Sequence, residues 1–265
     1  INMIKQQTLR TRRLFRDNNR ALVVAMDHAR VFDTITGLKD SNHIIKTIIS
    51  AGADAILTPY GSTSIAAEVL GNAGCWLSVD VTPETVVPLV EIAIRLGVDG
   101  IKVEAYPWCT KEDDYFKRFT GTESVLNTIC LAGECQKWGL PLMVESIPGG
   151  WPKADMRTPE KVAAAARVAS ETGADYVKTF YTGDKRSFKE VLDNCSVPVL
   201  ILGGPKIDSD RAILEMVHDA MNVGAAGVTM GRNIWGHSNI EGMTTALAEI
   251  IHNDASVESA YRLIQ

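Results

Sequence analysis

The 265-residue chain has no apolar run approaching the roughly 18 residues that cross a bilayer, no C-x-x-C pair, no H-x-x-x-H or H-E-x-x-H spacing and no G-x-G-x-x-G turn. Each absence excludes a class. The first argues against a membrane span, and with no signal-like opening segment the chain is expected to be a soluble intracellular protein. The second and third leave no thioredoxin-like or zincin-like centre, so no metal site is expected, and of the five histidines only His28 and His237 stand near strand ends. The fourth removes the dinucleotide fingerprint of a doubly wound sheet. Charge of one sign is lacking too: 27 basic against 32 acidic residues give a net charge of -5, which leaves no overall nucleic-acid footprint. Basic residues gather only at the start, where Lys5, Arg10, Arg12, Arg13, Arg16 and Arg20 face one acid, Asp17. That pattern reads as the solvated face of a helical extension over about residues 1–20. The odd count of five cysteines, beside apolar neighbours, suits reduced thiols in the cytoplasm.

What is present is a series of short, β-branched apolar runs. They are ALVVAM (21–26), AIL (55–57), CWLSV (75–79), GIKV (100–103), LMV (142–144), YVKT (176–179), VLIL (199–202) and GVTM (227–230). Runs this short and this apolar fit parallel strands covered on both faces. A faint repeat, AGADAI (51–56), LGVDGI (96–101), TGADYV (172–177) and VGAAGV (223–228), sets a glycine helix stop just ahead of a strand. Pro141 and Pro198 punctuate two more strand entrances. Eight strand–helix units without a linker predict one α/β domain spanning 1–265, a (β/α)8 TIM barrel.

In a barrel, chemistry gathers at the C-terminal strand ends. Lys178 stands in the sixth apolar run, where an unpartnered ammonium is costly to desolvate. An apolar interior with a second cation, supplied by Lys102 if the fourth strand aims it inward, would favour a free amine that attacks carbonyls. The alternative is a buried ion network pairing Lys178 with Asp27, Glu104 or Glu145. After strands seven and eight, ILGGPK (201–206) and TMGRN (229–233) offer Gly203, Gly204, Gly231 and Arg232. Small residues there let backbone N–H groups approach an anion, and the guanidinium can clamp a phosphate. Asp27 and His28 end the first strand, as substrate contacts or as a helix cap and a rim residue. Glu145 is the candidate proton shuttle, or else simply a counter-ion to Lys102 or Lys178. The segment 106–128 reads as a long excursion that shapes specificity.

Four stretches, VVAMDHARVFDTITGL (23–38), DYVKTFYTGD (175–184), VPVLILGGPK (197–206) and GAAGVTMGRNIW (224–235), resemble the archaeal-type class I fructose-bisphosphate aldolases. The same patterns run through the wider deoxyribose-phosphate aldolase superfamily, and the likeness spans about Ala21 to His252. It implies a (β/α)8 barrel, a Schiff base on Lys178, help from Asp27, and a substrate phosphate held by Gly203, Gly204, Gly231 and Arg232. It also implies a ring-like homo-oligomer. One departure stands out. Where the fructose-bisphosphate branch carries a tyrosine acid/base in S-Y-P-R-G, this chain reads Ser146-Ile147-Pro148-Gly149-Gly150. Isoleucine moves no proton, which points away from fructose bisphosphate as the substrate.

The expectation is therefore a metal-independent, cofactor-free carbon–carbon lyase acting on a small phosphorylated ketose or related dicarbonyl. Lys178, Asp27 and Glu145 would be catalytic, with His28, Lys102, Glu104 and the glycine–arginine set binding substrate and phosphate. Two alternatives stay open: a thiolase that moves an acyl group with the same lysine, and a phosphosugar-binding barrel without turnover.

Overall fold

The computed structural model describes residues 8–28, 36–114 and 119–265. Residues 1–7 of the expected N-terminal extension, 29–35 of the first quoted motif and 115–118 of the expected excursion lie outside the described residues. Eight strands form a closed, all-parallel barrel in sequence order. They are β1 (Ala21–Ala25), β2 (Ala55–Pro59), β3 (Gly74–Val79), β4 (Gly100–Ala105), β5 (Leu142–Ser146), β6 (Tyr176–Thr179), β7 (Val199–Leu202) and β8 (Gly227–Met230). The helices are α1 (Leu9–Leu14), α2 (Ser41–Ser50), α3 (Tyr60–Ala66), α4 (Val86–Leu96), α5 (Gly121–Trp138), α6 (Pro159–Glu171), α7 (Lys185–Asn194), α8 (Asp210–Asn222), α9 (Arg232–Trp235), α10 (Ile240–Asn253) and α11 (Val257–Tyr261). Among the described residues no helix is long and apolar enough to cross a membrane.

Strand side chains alternate between two cores. Leu22, Val24, Ile56, Leu77, Ile101, Val144, Val177 and Ile201 face outward into the layer shared with the helices. Ala21, Val23, Ala25, Ala55, Leu57, Trp76, Met143 and Leu200 fill the barrel itself, with Tyr176 against them. Leu14 and Phe15, at the end of α1, join this inner core, and Phe15 stacks on Tyr176 at 4.4 Å. The N-terminal segment thus stoppers the lower mouth of the barrel.

Arg12, Arg13 and Arg16 keep the exposure expected of a solvated face, but three of the segment's arginines also reach carboxylates. Arg13 pairs with Asp99 at 2.6 Å, Arg16 with Asp54 at 2.6 Å, and Arg20 with Asp254 at 2.5 Å. The reason lies in the repeat. In three of its four copies an aspartate follows the glycine helix stop, and each forms a two-bond ring with the opening of the preceding strand. The N–H of Asp54, Asp99 and Asp175 donates to the carbonyl of Leu22, Cys75 and Leu142 respectively. The carboxylate then accepts the N–H of that same residue, at 2.6, 3.0 and 2.8 Å. The fourth copy has Ala226, which keeps only the backbone bond, to Val199. Carboxylates so placed attract the arginines passing beneath them.

The strand starts follow the apolar runs closely, but β2, β4 and β5 each extend two residues further at their C-terminal ends. Those extra turns of pleat carry Glu104 and Glu145 inside the sheet rather than beyond it. The expected excursion after β4 is shorter than 106–128, because α5 begins at Gly121, capped by Thr120 and Glu123.

Candidate active site

Strand register places Glu104 of β4 beside Glu145 of β5, and Glu145 beside Lys178 of β6. One layer lower, Lys102 lies between Ser78 of β3 and Met143. Two carboxylates on neighbouring strands repel one another unless a cation intervenes. Lys102 rises from below to do so. Its ammonium lies 3.0 Å from Glu104 Oε1, 2.6 Å from Glu145 Oε2 and 3.2 Å from Asp27 Oδ2. Lys178 Nζ lies 2.8 Å from the other oxygen, Glu145 Oε1. Glu145 therefore bridges the two lysines, one oxygen to each. Both sequence readings of Lys178 meet here: it points into the interior, and it belongs to a buried ion network.

Asp27, just past β1, also accepts the Ser78 hydroxyl at 2.6 Å. Burial works to raise its pKa, but Lys102, Lys178, His28 and that hydroxyl together hold it well below the usual carboxylate range. Asp27 is an anion at any working pH. His28 goes the other way. Burial lowers it, Asp27 pulls it back, and Lys178, Arg232 and Lys102 press it down to about 4, so the imidazole is neutral.

Above this cluster a cavity opens at the C-terminal mouth. Asp27, His28, Glu104, Glu145, Lys178, Gly203, Gly204, Gly231 and Arg232 all line it; Gly203 and Gly204 follow β7, the strand beside that of Lys178, and Gly231 packs against His28. Nine of the ten expected site residues meet there. Lys102 is the exception: at 1% exposure it lies beneath the carboxylates and does not line the cavity. The substrate contact expected of it is not met, because three carboxylates already enclose its ammonium. His237 stands away from the cavity, 3.1 Å from Asp210.

The glycine wall is built for close approach. A Cβ on Gly231 would overlap the His28 ring and the Ala25 carbonyl. Gly204 adopts φ 60°, the left-handed region that glycine enters freely. Asn233 fastens the wall from behind: its amide donates to the Gly203 carbonyl at 2.9 Å, and its oxygen accepts the Ile207 N–H at 2.9 Å. Trp235 ties α9 to β1 by donating to the Ala25 carbonyl at 2.9 Å. Burial lowers the pKa of the Arg232 guanidinium, and a half-desolvated cation is favourable for an arriving anion.

Sequence reasoning passed over Ser78, Tyr106 and the placement of Trp151. Strand parity is the signal that finds the first two: Ser78 follows Trp76 by two, and Tyr106 follows Lys102 and Glu104 by twos. Trp151 lines the cavity and donates to Glu104 Oε2 at 3.4 Å. The tyrosine hydroxyl of Tyr106 donates to the same oxygen. Ile147 is fully buried in a small cluster with Tyr106 and Cys109, packed by Trp151 and Phe180.

Comparison with known proteins bears on this geometry. A family model described as DeoC/LacD family aldolase matches residues 21–237. The 2-amino-3,7-dideoxy-D-threo-hept-6-ulosonate synthase of Halobacterium salinarum is 32% identical over 262 residues, covering 96% of this chain and 94% of that protein. The 2-amino-4,5-dihydroxy-6-oxo-7-(phosphonooxy)heptanoate synthase of Streptomyces griseus is 30% identical, covering 94% and 92%. Among solved structures, a Schiff-base-forming fructose-1,6-bisphosphate aldolase superposes with a TM-score of 0.76 at 26% identity, covering 92% of this chain and all of that one. An archaeal fructose-1,6-bisphosphate aldolase whose catalytic lysine carries the carbinolamine of its substrate gives 0.77 at 26%, covering 92% and 99%.

Proposed function

Because this chain belongs to the DeoC/LacD family of aldolases, we propose that it makes or breaks a carbon–carbon bond next to the carbonyl of a small phosphorylated ketose or related dicarbonyl, with Lys178 as the Schiff-base nucleophile. The observation that carries this reading is the Lys178 amine, held 2.8 Å from a carboxylate and lining one cavity together with the glycines and the arginine that suit a phosphate.

The phosphate would take the N–H groups of Gly203, Gly204 and Gly231 and the guanidinium of Arg232, which sets the ketone carbon against Lys178. Glu145 takes the ammonium proton, and the amine adds to the carbonyl to give a carbinolamine. Glu145 then returns that proton to the departing hydroxyl, water leaves, and a protonated imine remains. The imine draws in the electron pair released when the carbon–carbon bond breaks. It is the electron sink that a bound cation supplies in other aldolases, so the reaction needs no metal. Asp27, held as an anion, takes the proton from the substrate hydroxyl whose oxygen becomes the aldehyde. Lys102 keeps its proton throughout, since three carboxylates stabilise its charge.

The two synthases above are named for products that are seven-carbon 2-amino acids with a ketone at C6, one of them phosphorylated at C7. A ketone one carbon from a phosphate supports the same substrate class here. The test is borohydride reduction with a panel of phosphorylated ketones, with and without chelator, followed by mass spectrometry. A covalent adduct on Lys178, unaffected by chelator, is expected. No adduct with any member would overturn the imine.

A further inference from the structure

An aldol reaction joins two halves, and the site described so far accounts for one of them. The glycines and Arg232 follow β7 and β8 and suit the phosphate of the ketone half, while Lys178 stands on the neighbouring β6. On the other side of β6 in the closed order of strands comes β5. The cavity continues that way, along Glu145 of β5 and Trp151 of the connection that follows it. With the phosphate on the β7–β8 side of Lys178, the half that leaves as an aldehyde extends toward β5 and that connection.

The same connection carries Arg157. Phe180 follows Lys178 by two residues, so it continues the lysine's face one step past the sheet. Its ring meets that of Trp151 edge-on, with centroids 6.1 Å apart. The Arg157 guanidinium lies against both rings, its Cζ 4.8 Å from the Phe180 centroid and 5.8 Å from that of Trp151. One N–H group donates to the Trp151 carbonyl, and the Nε–H is buried without an acceptor among the described residues. Lys153, four positions earlier, reaches Asp113 at 3.3 Å, but among the described residues no carboxylate pairs with Arg157. Burial alone acts on its pKa and lowers it. A guanidinium packed on rings by its face keeps the N–H groups of its edge in one plane, which matches the oxygens of a carboxylate or a phosphate.

We infer that Arg157, mounted on Trp151 and Phe180, determines specificity by binding an oxyanion at the far end of the aldehyde half. The inference rests on the Schiff-base reading above and adds that the second substrate is an anionic aldehyde, a carboxylate or a phosphate ester. Arg157 does not itself line the cavity, so the oxyanion sits past its edge. Two residues of strand rise by about 6.6 Å, which sets this cation a few carbons from the imine and away from the bond that breaks. Arg157 therefore acts through binding alone. Were it only a pin for the connection between β5 and α6, its loss would slow every aldehyde alike.

The test runs the reaction as a condensation, with dihydroxyacetone phosphate, or whichever phosphorylated ketone traps on Lys178, as donor. Four aldehydes are compared by mass spectrometry of the products: glyceraldehyde 3-phosphate, succinate semialdehyde, and the neutral glyceraldehyde and butyraldehyde. At least one anionic aldehyde should exceed its neutral counterpart in kcat/KM by about tenfold or more, and which one leads separates phosphate from carboxylate. Arg157→Gln should lower kcat/KM for that aldehyde by about tenfold or more and for the neutral ones by no more than about threefold. Borohydride trapping of the ketone should stay within about threefold of wild type. Arg157→Lys keeps the charge without the fork and should fall between the two. If Arg157→Gln does not fold, the ratio of anionic to neutral rates in Arg157→Lys carries the same test. No condensation with either anionic aldehyde, no preference over the neutral ones, an equal loss for all four, or a preference that survives the substitution would overturn the inference. Failure of the wild type to trap any ketone would instead strike the Schiff-base reading itself, and this inference with it.

Discussion

At the lower mouth of the barrel, Asp54, Asp99 and Asp175 each accept a backbone N–H from the strand before, and arginines reach Asp54 and Asp99 from half-exposed positions. At the upper mouth, Asp27, Glu104 and Glu145 take side-chain donors and share two buried ammoniums. The residue types are nearly the same, yet the chemistry diverges. Below, each aspartate closes a local ring with the strand before it, and Asp54 and Asp99 add separate partners of their own, Arg16 and His252 for the first and Arg13 for the second. Above, the charges converge, so a proton or an anion added at one group is felt by its neighbours. A carboxylate in a barrel becomes reactive through the company it keeps, and that company is set by which mouth the strand delivers it to.

Four perturbations test this contrast, the largest first. Lys178→Met should abolish turnover, by more than about a thousandfold, in a chain that retains its circular dichroism spectrum. Lys102→Met should come next. It leaves three carboxylates without their shared cation and should lower unfolding free energy by about 3–5 kcal/mol in urea titration. Its counterpart below, Arg13→Met, removes a half-exposed partner and should change stability by no more than about 1 kcal/mol, with activity per folded molecule unchanged. Third, Arg232→Gln should raise KM for a phosphorylated ketone by about tenfold or more, since a charge-assisted hydrogen bond contributes roughly 1.5–3 kcal/mol. The unphosphorylated ketone should be indifferent to that change.

The smallest effect is in the pH dependence of stability, and it carries opposite signs at the two mouths. Asp27 has a depressed pKa in the folded chain, so its contribution is fully present above the unfolded value near 3.8 and is lost as pH falls below it. At Asp99, burial outweighs the Cys75 N–H and Arg13 and raises the pKa. The folded chain then keeps that proton to higher pH than the unfolded one, and stability falls as pH rises above about 3.8. Urea midpoints from pH 3 to 7, taken as wild type minus Asp27→Asn and wild type minus Asp99→Asn, should slope in opposite directions. Parallel slopes would mean that the two mouths do not differ electrostatically.

The barrel was legible because its strands are apolar on both faces, which makes each one a short unbroken run between glycine stops. The apolar runs alone stop two residues short of the ends of β2, β4 and β5. Glu104 and Glu145 break the apolar pattern, but they are strand residues whose neighbours in the sheet, not in the sequence, neutralise them. Nine of the ten candidate residues line one cavity because the fold gathers strand ends in one place. Lys102 is hard to place because, in sequence, a lysine on a strand looks the same whether it reaches the cavity or stops beneath it. The N-terminal arginines are as exposed as their pattern implies, but nothing local hints that Asp54 and Asp99 wait below the sheet for two of them. Tyr106 and Ser78 were within reach of the period-two rule. Their importance depends on contacts with Glu104 and with Asp27, the latter 51 positions away.

The rung formed by Glu104, Glu145 and Lys178 has a consequence for assembly. If β4, β5 or β6 slipped by one residue, these ions would swing into the oily jacket beneath the helices, and Val103, Val144 or Val177 would take their places inside. Such a mispaired barrel is heavily penalised, so the trio also serves as a key that admits only one closure of the cylinder. A descendant that exchanged one of them for new chemistry would need a different key before it could fold.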